Sequence, residues 1–164
     1  MEQSHPGTLG LTKATTSWEA TTGFFRQRTH TEGCSFEDWT IDDVPVRQLL
    51  RKHDLGPVQQ EVTHLRRDDP EEAVNQIDRL LTSGEGDFDD GRVALLVCPI
   101  DGDLSCGAIT VRVIRRADTV EWCDFGWQNG QPDDVSMSEP PLTLVFDRSS
   151  YENVLNQART RYSQ

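Results

Sequence analysis

Two repeats of hydrophobic and polar positions divide this chain. In DDPEEAVNQIDRLLTSG, Ala73, Val74, Ile77, Leu80 and Leu81 recur at three- and four-residue spacing, which predicts a helix with one buried stripe. Asp69 is placed to cap it, Pro70 suits its first turn, Glu72 falls three residues after the cap, and Gly84 is the expected stop. A shorter helix is expected in VPVRQLLRKHDLG, with Pro45 at its first position, Val46, Leu49 and Leu50 facing inward, and Gly56 as its stop. RSSYENVLNQARTRY predicts a closing helix, for which Ser149 and Glu152 have capping-box spacing.

Elsewhere the period shortens to two. In CGAITVRVIRR, Ile109, Val111 and Val113 alternate with Thr110 and Arg112, as in an antiparallel strand with one wet face, until Ile114 breaks the pattern. RVALLVC, TVEWCDFGW and LTLVFD are further β-rich runs, and RADT is of hairpin length. WEATTGFFRQRTHTEGCSFEDWTIDD predicts two strands turning at Glu32-Gly33, with Trp39 and Ile41 on the face of Glu37 and Phe36 on the other. GEGDFDDG is expected to be a surface linker and QNGQPDDVSMSEPP a mobile loop. Residues 1–17, rich in Thr, Ser and Gly with little to bury, are expected to be a disordered tail ahead of a single domain over 18–164. The expected architecture is α+β: an antiparallel sheet of five to six strands with three helices packed mainly on one face.

Composition narrows the classes. The chain has 164 residues, enough for one core, with a modest 35% hydrophobic share. No apolar run has bilayer length and the N-terminus lacks a basic start followed by an apolar stretch, so a cytoplasmic, non-membrane protein is expected. Twenty-eight carboxylates against 16 basic side chains give a net charge of −12, which repels phosphate backbones and argues against nucleic acid. The same charge favours a basic protein partner, for which Asp68, Asp69, Glu71, Glu72, Glu85, Asp87, Asp89 and Asp90 would form the acidic face. Without secretory context, the four cysteines, at 34, 98, 106 and 123, are expected to be reduced.

The chemistry-bearing residues concentrate in CPIDGDLSCGAIT, residues 98–110. A structural zinc site needs four ligands in closely spaced pairs, whereas Cys98 and Cys106 are eight apart and no second pair follows, so no metal is expected. DFDDGR has its glycine one place early for a calcium loop. A redox pair would want a cation nearby, but the loop between the thiols carries Asp101 and Asp103 instead. A hairpin bend accounts for more: Gly102 and Gly107 permit unusual backbone angles, and the aspartates tighten turns. Small residues at 106–108 would admit Trp122 or Trp127 closely. Serine-nucleophile, phosphate-loop, dinucleotide and zinc-protease signatures are missing, so no cofactor is expected.

VCPIDGDLSCGAITVRV, VEWCDFGW and FDRSSYENVL together resemble a family of small bacterial proteins, mostly actinobacterial, that carry Cys-Pro-x-Cys-Gly-Asp-x-x-Cys-Gly-Ala followed by Trp-x-Asp-Phe. Cys98, Pro99, Gly102, Asp103, Cys106, Gly107, Ala108, Trp122, Asp124 and Phe125 fit that pattern, over roughly residues 90–158. The resemblance implies a shared fold and no particular activity. Asp101 stands where the family pattern has a cysteine, so a thiolate site does not carry over.

The expectation is a non-catalytic protein-binding or accessory protein of the inhibitor or immunity type. The alternative is a small enzyme or ligand binder at the 98–106 bend, with Asp103, Asp124 and Cys106 as catalytic candidates beside Trp122. A third reading is a thiol sensor using Cys98 and Cys106.

Overall fold

The structure, a computed structural model, describes residues 5–55, 62–82, 85–100, 102–129 and 135–164. It is an α+β fold whose strands form two antiparallel sheets rather than one. The first contains β1 (Leu9–Thr22), β2 (Arg28–Ile41) and the short β3 (Val44–Pro45), in that order. The second runs β4 (Val93–Leu96), β5 (Ala108–Arg115), β6 (Thr119–Gln128), and then β7 (Ser136–Met137) and β8 (Leu144–Asp147) successively along the far edge of β6. Three helices complete it: α1 (Val46–Leu50), α2 (Pro70–Leu81) and α3 (Arg148–Tyr162).

The core forms around Trp122 of β6. Its ring meets Trp39, Phe146 and Tyr151 edge-on, with centroids 6.0, 5.0 and 6.1 Å away. Trp39 comes from the first sheet and Tyr151 from α3, so one side chain joins three layers. The polar ends are satisfied in series: Trp122 Nε1 donates to the Tyr151 hydroxyl (3.0 Å), which donates to the Leu80 carbonyl at the end of α2 (2.9 Å). Burial raises the Tyr151 pKa, keeping this hydroxyl a donor.

The helices follow their sequence stripes with two differences. Asp69 caps α2 as expected, its Oδ1 accepting from Glu72 N–H at 3.4 Å, while Ala73, Ile77 and Leu80 are buried. Gln76 is buried too, donating to the carbonyls of Ala94 and Leu95 at 3.0 and 3.1 Å, where the β4–β5 register shifts. At α3 the cap is Asp147, not Ser149: Asp147 Oδ2 accepts from Ser150 N–H at 2.9 Å. The helix thus begins two residues earlier than the capping-box spacing suggested, and Glu152 pairs with Arg115 and Arg148 instead of reaching back to the cap. Gly56 and Gly84, the expected helix stops, lie outside the described residues.

Three further expectations need correction. The segment expected as a disordered tail is strand from Leu9 onward, in unbroken register with β2 from Leu9↔Ile41 to Thr22↔Arg28. Gly7 N–H also donates to the Val145 carbonyl at 2.7 Å, so the ordered body starts ahead of residue 18. Polar β-branched residues carry this ladder, and the half-buried positions of β1, Ala14, Thr16, Trp18 and Ala20, are too weakly apolar to make a readable period. The turn is at 23–27, not at Glu32-Gly33, which sit mid-strand opposite Trp18 and Ser17. Gly23 takes φ +109°, and a Cβ there would lie 2.1 Å from the Arg26 carbonyl oxygen. Residues 85–91 of GEGDFDDG form a surface connection as expected, though one tied to the sheet: the Asp87 and Phe88 N–H groups donate to the Arg92 carbonyl, and Phe88 packs with Ala94, Val97 and Ala108. In the expected mobile loop, residues 136–137 form β7 and 130–134 lie outside the described residues.

Candidate functional site

The 98–106 stretch is a hairpin bend between β4 and β5. Gly102 N–H donates to the Cys98 carbonyl (3.0 Å), and Cys106 and Gly107 N–H groups donate to the carbonyls of Asp103 and Leu104 (both 3.1 Å), closing a 3-10 turn over Leu104–Cys106. Gly102 and Gly107 have φ of +65° and +102°. Gly107 lies against Trp127, where a Cβ would come within 2.4 Å of the ring. Trp122 is instead in the main core, so of the two tryptophans only Trp127 closes on the bend. Cys98 and Cys106 are thiols rather than a disulfide, and Asp101 lies outside the described residues.

The aspartates of the catalytic alternative serve different neighbourhoods. Asp103 is in the bend, whereas Asp124 lies four residues along β6 from Gln128, the partner of Ala108. That is a strand distance of roughly 13 Å. Asp124 adopts φ +52° beside a register shift, and its half-exposed carboxylate sits 3.6 Å from Arg112. Its carbonyl accepts from Arg92, a guanidinium only 2% exposed that also donates to Thr110 Oγ1 at 2.9 Å. Thr110 passes the chain of bonds on to Gln128 Oε1 at 2.7 Å. This network ties Arg92, just ahead of β4, to β5 and β6, and the motif residue Asp124 lies at the register shift. Cys98 and Gly102 line a hollow of about 250 Å³ that also includes His64, whose pKa burial depresses. Among the described residues, no group of three or more His, Cys, Asp and Glu side chains could hold a metal ion.

The expected acidic face is partly engaged in internal contacts. Asp68 pairs with Arg66 (2.7 Å), which holds its carboxyl below the usual range, and Asp69 caps α2. Asp87 is nearly buried, bound to Arg79 (2.9 Å) and to Ala94 N–H (2.8 Å). Asp90 accepts from Arg92 N–H (3.1 Å), while Glu71, Glu85 and Asp89 are exposed and Glu72 accepts from Asn75 (3.2 Å).

The most unusual surface is the β1–β2 hairpin. Each strand has 14 residues, a ladder of roughly 45 Å at about 3.3 Å per residue. Residues 21–33 are exposed throughout, and Phe24 and Phe25 at the turn are each 98% exposed, their rings 6.0 Å apart. Arg26 and Arg28 follow them. The hairpin is therefore an arm carried away from the body, with an aromatic and basic tip. The sequence does carry a signal for it: Gly-Phe-Phe-Arg stands in a run with no other large apolar residue within five positions, leaving those rings nothing local to pack against.

At the arm's base lies a cleft of about 720 Å³, between β2, the segment 65–68 and the C-terminal end of α3. Lys13, Arg66, Arg67 and Arg161 line it, against the carboxylates of Glu37 and Asp68. Arg161 pairs with Glu37 at 3.0 Å, the Tyr162 hydroxyl donates to the same carboxylate at 2.7 Å, and Arg67 and Arg161 flank the Tyr162 ring at 6.0 and 5.9 Å. Cys34 and Phe36 add an apolar side, burial raising the thiol pKa although Arg66 nearby pulls it down. An adjoining hollow of about 600 Å³ extends the cleft along the arm past Thr16 and Ser17.

Compared with models of protein families, with curated proteins and with solved structures, the chain matches none. Among the described residues, no helix is long and apolar enough to cross a membrane.

Proposed function

We propose that this is a non-catalytic protein-binding protein whose contact element is the β1–β2 arm. The observation that carries this reading is the 98% exposure of both Phe24 and Phe25 at the end of the arm. Scattered surface apolar residues need no explanation, but two adjacent aromatic rings at a projecting tip offer the kind of anchor that dominates protein interfaces. An isolated two-stranded hairpin is marginal in water, so a ladder of this length exposed over residues 21–33 adds little to the body's own stability. The net charge of −12 disfavours an anionic membrane as the tip's target. Arg26 and Arg28 beside the rings suit an apolar groove rimmed by carboxylates.

The test is affinity capture from the host lysate with the wild-type protein and with Phe24→Ser/Phe25→Ser, read by mass spectrometry, alongside co-sedimentation with phosphatidylcholine–phosphatidylserine vesicles. A near-stoichiometric protein that the wild type retains and the variant loses supports the reading. An identical set of proteins on both, none on either, or tip-dependent vesicle binding overturns it.

A further inference from the structure

The cleft at the arm's base has a property its side chains alone do not convey: one wall is an open strand edge. β2 is paired with β1 along its length, but on its other side β3 reaches only Thr40 and Ile41. At Glu37 that outer side is met by the segment after Thr63: Glu37 N–H donates to the Leu65 carbonyl at 2.9 Å, and Thr63 Oγ1 donates to the Glu37 carbonyl at 2.6 Å. Backbone direction alternates with period two, so Ser35 and Gly33 present their N–H and carbonyl groups to the same outer side. Among the described residues nothing pairs with them there, and both residues line the cleft and its extension. Such an edge is a template for another strand.

The surrounding charge selects what that strand can be. The molecule carries 28 carboxylates and 16 basic side chains, yet this cleft gathers four cations against two carboxylates. Arg66 and Arg161 are engaged with Asp68 and Glu37, while Lys13 and Arg67, both exposed, make no ion pair among the described residues. The half-buried Cys34 and the buried Phe36 also line the cleft and supply its apolar surface. We infer that the cleft binds an extended acidic segment of a partner protein, which adds a strand to the open edge of β2 over Gly33–Ser35 and sets its carboxylates against Lys13 and Arg67. Main-chain hydrogen bonds give the contact its direction and the two cations select the sequence. This inference rests on the protein-binding reading but concerns a surface separate from the aromatic tip.

The experiment uses a fluorescein-labelled hexapeptide of alternating glutamate and valine, titrated with the full chain and read by anisotropy. Two control peptides replace glutamate with lysine or N-methylate alternate amides. The expected results are saturable binding of the glutamate peptide, at least tenfold weaker binding of both controls, and a loss of tenfold or more with Lys13→Glu/Arg67→Glu. The milder Lys13→Gln/Arg67→Gln should lose less, with an unchanged circular dichroism spectrum for both variants. Phe24→Ser/Phe25→Ser should bind the peptide as the wild type does, which separates a failure here from a failure of the tip. Several results would overturn the inference. One is no saturable binding, and another is equal affinity for the glutamate and lysine peptides. Undiminished binding of the N-methylated peptide would mean a site for carboxylate alone, without strand addition. A dimer in light scattering that dissociates when β2 is altered by Ser35→Pro would mean that a second copy occupies the edge.

Discussion

Asp38 shows how far one residue departs from its usual behaviour in this fold. It lies on β2, 3% exposed, near Arg47, and one carboxyl oxygen has no hydrogen-bond partner. Burial raises its pKa to about 6 from the ordinary 3.8. Between those pH values the folded chain holds a proton that the unfolded chain has released, so the stability this group contributes is complete below the lower value and falls as pH rises through 6. Asp38→Asn keeps the shape without the charge. Urea unfolding at a series of pH values should find the decline between pH 4 and 6.5 flattened, and the variant more stable at pH 7.5 by up to about 3 kcal/mol. An unchanged pH profile would mean that the carboxylate is solvated. Gly107 makes the opposite case, where nothing can be added. With φ +102° and the Trp127 ring 2.4 Å from any Cβ, Gly107→Ala should lower stability by about 1–3 kcal/mol, seen as a fall in Tm.

At the scale of elements, the beginning of α3 distinguishes two caps that lie two residues apart. Asp147 accepts from Ser150 N–H and Ser150 Oγ, both at 2.9 Å, and these bonds hold its carboxyl below the usual range. Asp147→Ala should therefore lower the midpoint of chemical denaturation, while Ser149→Ala should leave it unchanged. Equal effects would return the cap to Ser149. Helices were legible in the sequence because their stripes and caps are local: Asp69, Pro70 and the Ala73–Ile77–Leu80 stripe of α2 all stand where the spacing put them. Gln76 was not legible, because its partners are two carbonyls on β4, 18 and 19 residues away, and nothing within the helix announces them.

For the whole molecule, the arm is dispensable to the core that Trp122 organises. Deleting residues 19–31 and joining the native pair Trp18 and Glu32 with a two-residue Asn-Gly turn should leave Tm within about 4 °C of the wild type, since the removed residues include none of the buried core and 1 kcal/mol corresponds to about 2–8 °C. The same deletion should abolish capture of any partner held by the tip. A large fall in Tm would show instead that the arm is structural.

The sequence by itself determined the α+β class, the three helices, the hairpin bend at 98–106 and the acidic balance, because each depends on neighbours within a few residues or on a simple sum. Only the tertiary structure decided that β1 begins at Leu9, that the strands divide into two sheets, and that Trp39 and Trp122 meet although 83 positions separate them. It also decided where the cleft lies, since Lys13, Gly33, Arg67 and Arg161 come from four distant parts of the chain. A strand whose half-buried positions are mostly Ala and Thr has too weak a hydrophobic period to read, and a charge cluster assembled from distant segments has no sequence spacing; both depend on contacts, which exist only once the chain has folded.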